Sequence, residues 1–180
     1  MSGSKILFQL TGSIACYKAC FAISRLVQEG CEVKTACTRS ALQFIGPATL
    51  EGLTRKSVYS EMFERERALD HVDLAKWYDL AVLCPATANI LGKLAGGIGD
   101  DCVSTLFLAH DFKKPYLIVP AMNKSMYEHP ATKRSMKVLK SWGVKVLGAA
   151  TGRQACGDVG PGRMLEPDEI CAEIHKALGR

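Results

Sequence analysis

Residues 148–165 combine the side chains that a cover over a bound substrate needs. The segment reads GAATGRQACGDVGPGRML and holds five glycines, Cys156, Asp158 and the guanidinium groups of Arg153 and Arg163. It has no apolar run with a period of two or 3.6 residues, so the pattern predicts neither a strand nor a helix. An irregular segment of this length in a compact domain is typically a lid or a binding loop. We therefore predict a substrate flap; a surface loop with an incidental cysteine is the alternative.

The rest of the chain alternates between strand-like and helix-like runs. Apolar runs at residues 5–10, 31–37, 80–84, 116–119 and 144–147 predict strands, and runs at 14–29, 87–94, 101–109, 131–142 and 168–178 predict helices. A strand that returns after a helix of this length implies a right-handed βαβ unit and a parallel sheet. The sequence therefore predicts one α/β domain over residues 1–180, a three-layer α/β/α doubly wound parallel sheet of the Rossmann-like or flavodoxin-like type.

Small, hydroxylated or amide-bearing residues follow four of the predicted strands. They are Thr11-Gly12-Ser13, Thr38-Arg39-Ser40, the PATAN sequence at 85–89 and the PAMN sequence at 120–123. Ligands of doubly wound sheets bind beyond the carboxyl ends of the strands. We therefore predict the ligand site where these four segments meet.

The first of these segments favours a phosphate group. Gly12 and Ser13 lead into a helix N-terminus, where free N–H groups and the helix dipole attract anions, although turn and cap roles alone would also explain the pair. The chain has no G-x-G-x-x-G and no P-loop motif. Its second strand ends in hydroxyls and a cation, where an NAD enzyme needs an acid. A mononucleotide, with FMN as the natural candidate, fits these residues better than NAD or ATP.

Composition argues against several other classes of protein. Charged residues make up 23% and apolar residues 48% of the 180 residues, as in ordinary soluble globular proteins. The net charge of +5 comes from scattered residues, so nucleic acid is not an expected partner. We expect no membrane span and no secretory leader. The eight cysteines form no zinc-binding pattern, so we expect no metal site, free thiols and a reducing, cytoplasmic location.

Four motifs, in unbroken order, resemble those of the flavin-dependent cysteine decarboxylases. They are TGSIACYK from Thr11, HVDLAKWYDLAVLCPATANILGKLAGGIGDD from His71, PAMNKSM from Pro120 and ACGDVGPGRM from Ala155. The resemblance extends over residues 5–165. The last motif is similar to the flap of the phosphopantothenoylcysteine decarboxylases, the branch of the family that serves coenzyme A biosynthesis.

The resemblance implies an FMN-dependent decarboxylation of 4'-phosphopantothenoylcysteine to 4'-phosphopantetheine. In this family the flavin oxidises the thiol of a C-terminal cysteine to a thioaldehyde, carbon dioxide leaves, and the ene-thiol is reduced again. By resemblance His71 is a base or orients the substrate. Asn123 donates hydrogen bonds to the substrate carboxylate, and Cys156 donates the proton that accompanies the reduction.

The resemblance also implies two sets of binding residues. Those for FMN are Gly12, Ser13, Thr38, Ser40, Phe44, Thr87, Ala88, Asn89 and Ala121. Those for the substrate are Asn123, Arg153, Gln154, Ala155, Lys76 and Arg163, of which Arg153 and Arg163 could pair with a phosphate. The chain departs from the family at Lys76, where arginine is common, and at Tyr127, where tryptophan is. A bidentate carboxylate contact at residue 76 would therefore become a point charge.

Assembly and competing functions also follow from the resemblance. Family members are homotrimers, or dodecamers built from trimers, in which FMN and the counterpart of His71 meet across a subunit boundary. Bacterial relatives often fuse the decarboxylase to the ligase that makes its substrate, a part that we expect these residues not to include. The main alternative is a peptidyl-cysteine decarboxylase of antimicrobial-peptide maturation. The cysteine flap argues against a flavin prenyltransferase, and the lack of acidic extensions argues against a phosphatase-inhibiting subunit.

Overall fold

A five-stranded parallel sheet forms the centre of the protein. It is described from a computed structural model, in which residues 3–63, 69–153, 157 and 159–179 are described. The strands are β1 (Lys5–Leu10), β2 (Glu32–Cys37), β3 (Leu80–Ala86), β4 (Tyr116–Pro120) and β5 (Lys145–Val146), and they lie in the order β2-β1-β3-β4-β5. This is the order of a doubly wound sheet whose topological switch point lies between β1 and β3. The predicted fold class is confirmed.

Helices flank this sheet on both faces. In the described residues they are α1 (Cys16–Gln28), α2 (Pro47–Thr54), α3 (Asp70–Trp77), α4 (Ala88–Gly96), α5 (Cys102–Leu108), α6 (Lys124–Glu128), α7 (Pro130–Ser141) and α8 (Pro167–Ala177). A short 3₁₀ helix at Ala41–Gln43 follows β2. The helices connect successive parallel strands, as the sheet requires.

The two faces of the sheet bury two separate apolar clusters. Along β1, Ile6, Phe8 and Leu10 pack with residues of α1, α2 and α8, whereas Leu7 packs with residues of α3, α4, α5 and α7. The central strand β3 is buried at every position, which is why its sequence, LAVLCPA, does not alternate between apolar and polar residues. Alternating side-chain directions along each strand therefore produce the three layers.

Three helices are not predicted by the sequence. The five predicted strands and five predicted helices agree with the structure to within two residues at each end, but α2, α3 and α6 were not expected. Of these, α6 buries no residue, α3 buries Leu74, and α2 buries Leu50 and Thr54. None of them carries the broad apolar stripe from which a surface helix is recognised in sequence.

Residues 148–165 contain two strands, so the prediction that no strand forms there is wrong. β6 (Ala150–Arg153) pairs antiparallel with β7 (Val159–Arg163), and we call this pair the hairpin. Thr151 lies opposite Pro161, and Gly152 lies opposite Gly160. The strands pair through their backbones while most of their side chains are small or exposed, so no alternation of apolar residues marks them in the sequence.

The described cysteines are free thiols that pack into the protein. Cys16, Cys31, Cys37, Cys84, Cys102 and Cys171 are buried, and Cys20 is partly buried. Burial raises the pKa of Cys84 well above its usual value and raises the pKa of both Cys20 and Cys171 to about 11. These thiols therefore stay protonated and unreactive at neutral pH, which confirms their expected packing role.

Metal-binding groups and membrane spans can be assessed for the described residues, 3–63, 69–153, 157 and 159–179. No group of three or more His, Cys, Asp or Glu residues among them could hold a metal ion. None of the helices in this part of the chain has both the length and the apolar character to cross a bilayer.

A buried histidine gives the core a pH dependence. His110 follows α5, and its Nδ1 lies 2.7 Å from the hydroxyl oxygen of Tyr78. Burial lowers the pKa of His110, because the charged imidazolium would lose its hydration there. The folded protein therefore binds a proton at His110 less readily than the unfolded chain does. Stability should fall as the pH drops through the unfolded-state value of about 6.5 toward the lower folded-state pKa.

We expect His110→Gln, which keeps a hydrogen-bonding side chain but does not titrate, to remove this part of the pH dependence. Urea unfolding at about pH 7.5 and about pH 5.5 measures it for both proteins. The wild type should lose more free energy of unfolding between the two pH values than the variant. Equal losses would contradict the assignment to His110.

Candidate functional site

Two cavities open at the carboxyl edge of the sheet. The larger, about 680 Å³, lies between the start of α1, the segment after β4 and the hairpin; it is lined by Ser13, Ile14, Ala15, Tyr17, Lys18, Ala121, Met122, Asn123, Arg153, Gly162, Arg163 and Met164. The smaller, about 420 Å³, lies beyond β1 and β2; among its lining residues are Thr11, Gly12, Thr38, Arg39, Ser40, Glu61, Asn89, Lys93, Asp100 and Asp101. We call them the hairpin cavity and the Gly12 cavity.

The hairpin is fixed against the segment that follows β4. The backbone N–H of Met122 donates a 2.9 Å hydrogen bond to the carbonyl oxygen of Gly162. On the other side, a Cβ added at Gly160 would lie 2.6 Å from Cδ of Lys124. Glycine at this position therefore lets the backbone of β7 pack closely on α6. The hairpin forms one wall of its cavity through these contacts.

Asn123 presents a neutral hydrogen-bond donor to the hairpin cavity. Its Oδ1 accepts a 2.9 Å hydrogen bond from the backbone N–H of Met126 and thereby caps α6, a role for which asparagine is favoured. Because the amide oxygen faces the helix, the Nδ2 hydrogens point away from it. Asn123 lines the cavity, and no hydrogen bond of its Nδ2 group is present among the described residues.

The hairpin cavity has a positively charged wall. Lys18, Arg153 and Arg163 line it, and the lining residues that the structure describes include no carboxylate. Glu166 lies just outside the lining; its Oε1 accepts hydrogen bonds from Nζ of Lys18, at 2.7 Å, and from Nη2 of Arg163. The bond from Lys18 is the main reason why the pKa of Glu166 is lowered. Three cations against one carboxylate leave a positive balance that suits an anionic ligand.

The Gly12 cavity depends on a close approach of two loops. A Cβ added at Gly12 would lie 2.6 Å from Cβ of Ser40 and 3.1 Å from its carbonyl carbon, so a larger residue would push the loops apart. Thr38 Oγ1 accepts a hydrogen bond from the N–H of Ala41. Ser13 Oγ, in the loop that also carries Gly12, accepts a hydrogen bond from the N–H of Ala15, just before α1. Both hydroxyls therefore have capping roles, and each keeps a hydrogen that could be donated to an anion.

The cations of the Gly12 cavity are paired with carboxylates. Arg39 donates from Nε and Nη2 to the two carboxylate oxygens of Glu61, each at 2.9 Å. Nζ of Lys93 lies 2.6 Å from Asp100 and 2.8 Å from Asp101. The cation that the sequence suggests for a phosphate after β2 is thus engaged by Glu61. Among the described lining residues, hydroxyls, backbone N–H groups and the amide of Asn89 are the donors that this cavity leaves for an anion.

The ends of β1 and β3 are joined by one side chain. Thr11 Oγ1 donates a 2.6 Å hydrogen bond to the carbonyl oxygen of Pro85 and accepts a 3.2 Å bond from the N–H of Thr87. Thr87 Oγ1 in turn accepts from the N–H of Ile90 and caps α4. This arrangement places the start of α4 beside the loop that follows β1.

The structure brings most of the expected ligand residues to these cavities. Those in the hairpin cavity are Ser13, Ala121, Asn123, Arg153 and Arg163. Those in the Gly12 cavity are Gly12, Thr38, Ser40 and Asn89. The N–H of Thr87 donates a hydrogen bond to Oγ1 of Thr11, which lines the Gly12 cavity. Ala88 lines a neighbouring cavity of about 400 Å³ next to α7.

Three expected residues lie away from both cavities. His71 is in the first turn of α3, and Lys76, near the end of that helix, lines a different cavity with Lys114. Phe44 follows the 3₁₀ helix and is half exposed. Gln154, Ala155 and Cys156 lie outside the described residues.

Several cavity residues were not singled out from the sequence. Ile14, Tyr17 and Lys18 form one wall of the hairpin cavity, and Met164 and Glu166 complete its surroundings. A signal for the first three was present, because they follow the Gly-Ser turn directly and belong to the TGSIACYK motif. No such signal exists for Glu166, whose contact with Lys18 joins residues far apart in the chain.

Comparisons with known proteins agree with this architecture. The profile of the Flavoprotein family matches residues 1–179, and the chain belongs to this family. The coenzyme A biosynthesis bifunctional protein CoaBC of Bacillus subtilis is 44% identical over 181 residues, which cover 98% of this chain and 44% of that protein. The chain thus spans less than half the length of the first curated relatives that it matches. A probable phosphopantothenoylcysteine decarboxylase of Streptococcus mutans is 39% identical, over 97% of this chain and 98% of its own length.

Solved structures show the same fold. A PPC decarboxylase mutant in complex with pantothenoylaminoethenethiol is 29% identical and superposes with a TM-score of 0.89, over 99% of this chain and all of that chain. The FMN binding protein AtHal3 is 30% identical with a TM-score of 0.83, over 96% of this chain and 95% of its own. These matches confirm the family resemblance that the four sequence motifs indicate.

We expect Gly12→Ala to lower the free energy of unfolding by roughly 1–3 kcal/mol, because the new methyl group would meet Ser40. Gly52→Ala is the matched control: it lies in α2 with open space where its Cβ would stand, and should raise stability by about 0.5–1 kcal/mol. Urea unfolding measures both. Equal stability of the two variants would show that the loops after β1 and β2 adjust freely.

Proposed function

We propose that this chain catalyses the FMN-dependent decarboxylation of 4'-phosphopantothenoylcysteine to 4'-phosphopantetheine and carbon dioxide, as a carboxy-lyase of coenzyme A biosynthesis. The observation that carries the proposal is the hairpin cavity, where Asn123 stands with three cations and, among the described lining residues, no carboxylate. The similarity to a probable phosphopantothenoylcysteine decarboxylase over nearly its whole length supports it. So does the likeness to a PPC decarboxylase.

The residues at the carboxyl edge fit an FMN molecule. Ser13, Thr38 and Ser40 offer hydroxyl donors around the close approach at Gly12, and they suit a phosphate group. Ala121, which follows β4, lines the adjoining hairpin cavity together with Ser13. The family and the FMN binding neighbour support this cofactor. When bound, FMN supplies the reversible two-electron oxidation of the substrate thiol that allows the carboxylate to leave.

Asn123 would bind the substrate carboxylate through its Nδ2 hydrogens. A full counter-charge at this place would stabilise the carboxylate and oppose its loss, whereas a neutral donor orients it without that penalty. The capping bond to Met126 holds the amide in the required orientation before the substrate arrives. Asn123 therefore positions the group that leaves.

The cationic wall would bind the substrate phosphate. Nζ of Lys18 and Nη2 of Arg163 share one carboxylate oxygen of Glu166 and keep further N–H donors. Arg153 adds a third cation at the hairpin. A phosphate dianion matches several cations better than a single carboxylate does, which favours the phosphorylated substrate over a peptide with a C-terminal cysteine.

The other residues expected from the resemblance keep the roles that the family implies. Cys156, which stands in the sequence between β6 and β7, would donate the proton that accompanies the final reduction, and Gln154 and Ala155 would contact the substrate. Phe44 would contact the flavin. His71 and Lys76 line neither cavity of their own chain, which supports a site completed by a neighbouring copy. The protein would accordingly be a single-domain cytoplasmic homotrimer, or a dodecamer of trimers.

We expect the purified protein to be yellow, with about one FMN per chain, and to release carbon dioxide from 4'-phosphopantothenoylcysteine. Flavin absorbance and carbon dioxide release measure the two parts. A peptide ending in cysteine, tested in parallel, should react far more slowly because it offers no phosphate to the cationic wall. Faster turnover of the peptide would establish the peptidyl-cysteine alternative, and a protein that cannot be loaded with FMN would refute both.

We expect Asn123→Asp to keep its FMN and its melting temperature but to lose about 100-fold or more in kcat/KM. Aspartate also caps helices, so α6 should remain intact, while the donor is lost and a charge repels the substrate carboxylate. Asn123→Ser, which caps without adding a charge, should be impaired less. Unreduced turnover by Asn123→Asp would remove this residue from the site.

A further inference from the structure

The wall of the hairpin cavity formed by α1 is apolar next to its cation. Ile14 precedes α1 and is 61% exposed, and Tyr17, in the first turn, is 53% exposed. Both line the cavity beside Lys18. No hydrogen bond of the Tyr17 hydroxyl is present in the described part of the chain. The wall therefore offers an aromatic ring and an aliphatic side chain to the same cavity that Lys18 lines.

The combination of apolar and cationic side chains on this wall indicates what kind of ligand it would bind. An anionic group bound at Lys18 and Arg163 would place the atoms next to it against Ile14 and Tyr17. Exposed aromatic and branched side chains bind apolar groups through the area they remove from water. The matching ligand has a branched apolar group close to its anionic end.

We infer that Tyr17, together with Ile14, is a specificity-determining contact for the dimethyl-substituted carbon of the phosphopantothenoyl arm. This inference rests on the proposed function. In that substrate a single CH₂–O link separates the phosphate from a carbon that bears two methyl groups. The arm thus carries its branched apolar group beside its anion, in the same order as Tyr17 and Lys18 on α1. A peptide ending in cysteine has no such pair of groups.

Phe21 provides a matched control on the same helix. It lies one turn beyond Tyr17 and is 64% exposed, but it does not line the hairpin cavity. Truncating Phe21 removes a comparable exposed aromatic ring from α1. It leaves the cavity wall unchanged, so it reports any effect that α1 has on folding or on assembly.

The experiment measures kcat and KM of the FMN-loaded protein with two substrates. One is 4'-phosphopantothenoylcysteine, and the other is its analogue in which both methyl groups are replaced by hydrogen. For Tyr17→Ala we expect KM for the natural substrate to rise roughly tenfold with little change in kcat, because a contact remote from the reacting carbon contributes uniform binding. Ile14→Ala should raise KM in the same direction by a smaller factor. Phe21→Ala should leave both constants as they are in the wild type.

The analogue separates a direct contact from a general disturbance. In the wild type, loss of the methyl groups should raise KM by a factor similar to that of Tyr17→Ala. In Tyr17→Ala the analogue and the natural substrate should have nearly equal KM values, because the two changes remove the same contact. An unchanged KM in Tyr17→Ala, or an equal rise for both substrates, would overturn the inference. The same holds if Phe21→Ala reproduces the rise.

Failure of this inference differs from failure of the proposed function. If the wild type decarboxylates neither compound, the proposed reaction is wrong, and the assignment of Tyr17 falls with it. If the wild type turns over both compounds with equal KM, the proposed reaction is supported, but the inference that Tyr17 and Ile14 contact the methyl groups is wrong. Flavin content and melting temperature of each variant show that a changed KM does not come from misfolding.

Discussion

The hydroxyl of Thr11 holds together the ends of two adjacent parallel strands at the point where the order of the sheet reverses. It donates to Pro85 at the end of β3 and accepts from Thr87, the residue that caps α4. Helix α4 therefore begins beside the loop after β1, and this loop carries Gly12 toward one cavity and Ser13 toward the other. Crevices at such switch points are where doubly wound sheets bind ligands, and here both cavities depend on that contact.

The two cavities differ in how far their cations are paired with carboxylates. In the Gly12 cavity Arg39 and Lys93 are paired with carboxylates, so neutral donors are left for a ligand. In the hairpin cavity, within the described residues, Lys18, Arg153 and Arg163 outnumber the carboxylate of Glu166. Under the proposed function, the first arrangement would suit a tightly bound cofactor and the second an exchanging anionic substrate.

The sequence predicts the sheet and the helices that carry broad apolar stripes, because burial on both faces dictates those patterns directly. It does not predict the hairpin, since β6 and β7 pair through their backbones and carry glycine, proline and exposed side chains. Four motifs locate Asn123 and Gly12 at the correct edge of the sheet. The sequence does not predict the ion pair of Lys18 with Glu166, because only tertiary packing brings these two residues together. His71, expected at the site from the resemblance, lies in α3 and lines neither cavity, and its role there stays a prediction.

Asn123 shows how the fold prepares the site before any ligand arrives. The bond that caps α6 also restrains the rotation of the amide, so the side chain would lose little freedom of orientation if a carboxylate bound there, as proposed. This side chain loses its conformational entropy once, during folding, rather than each time a ligand binds. If Asn123 has the proposed role, the residue that orients the substrate is also the residue that caps α6.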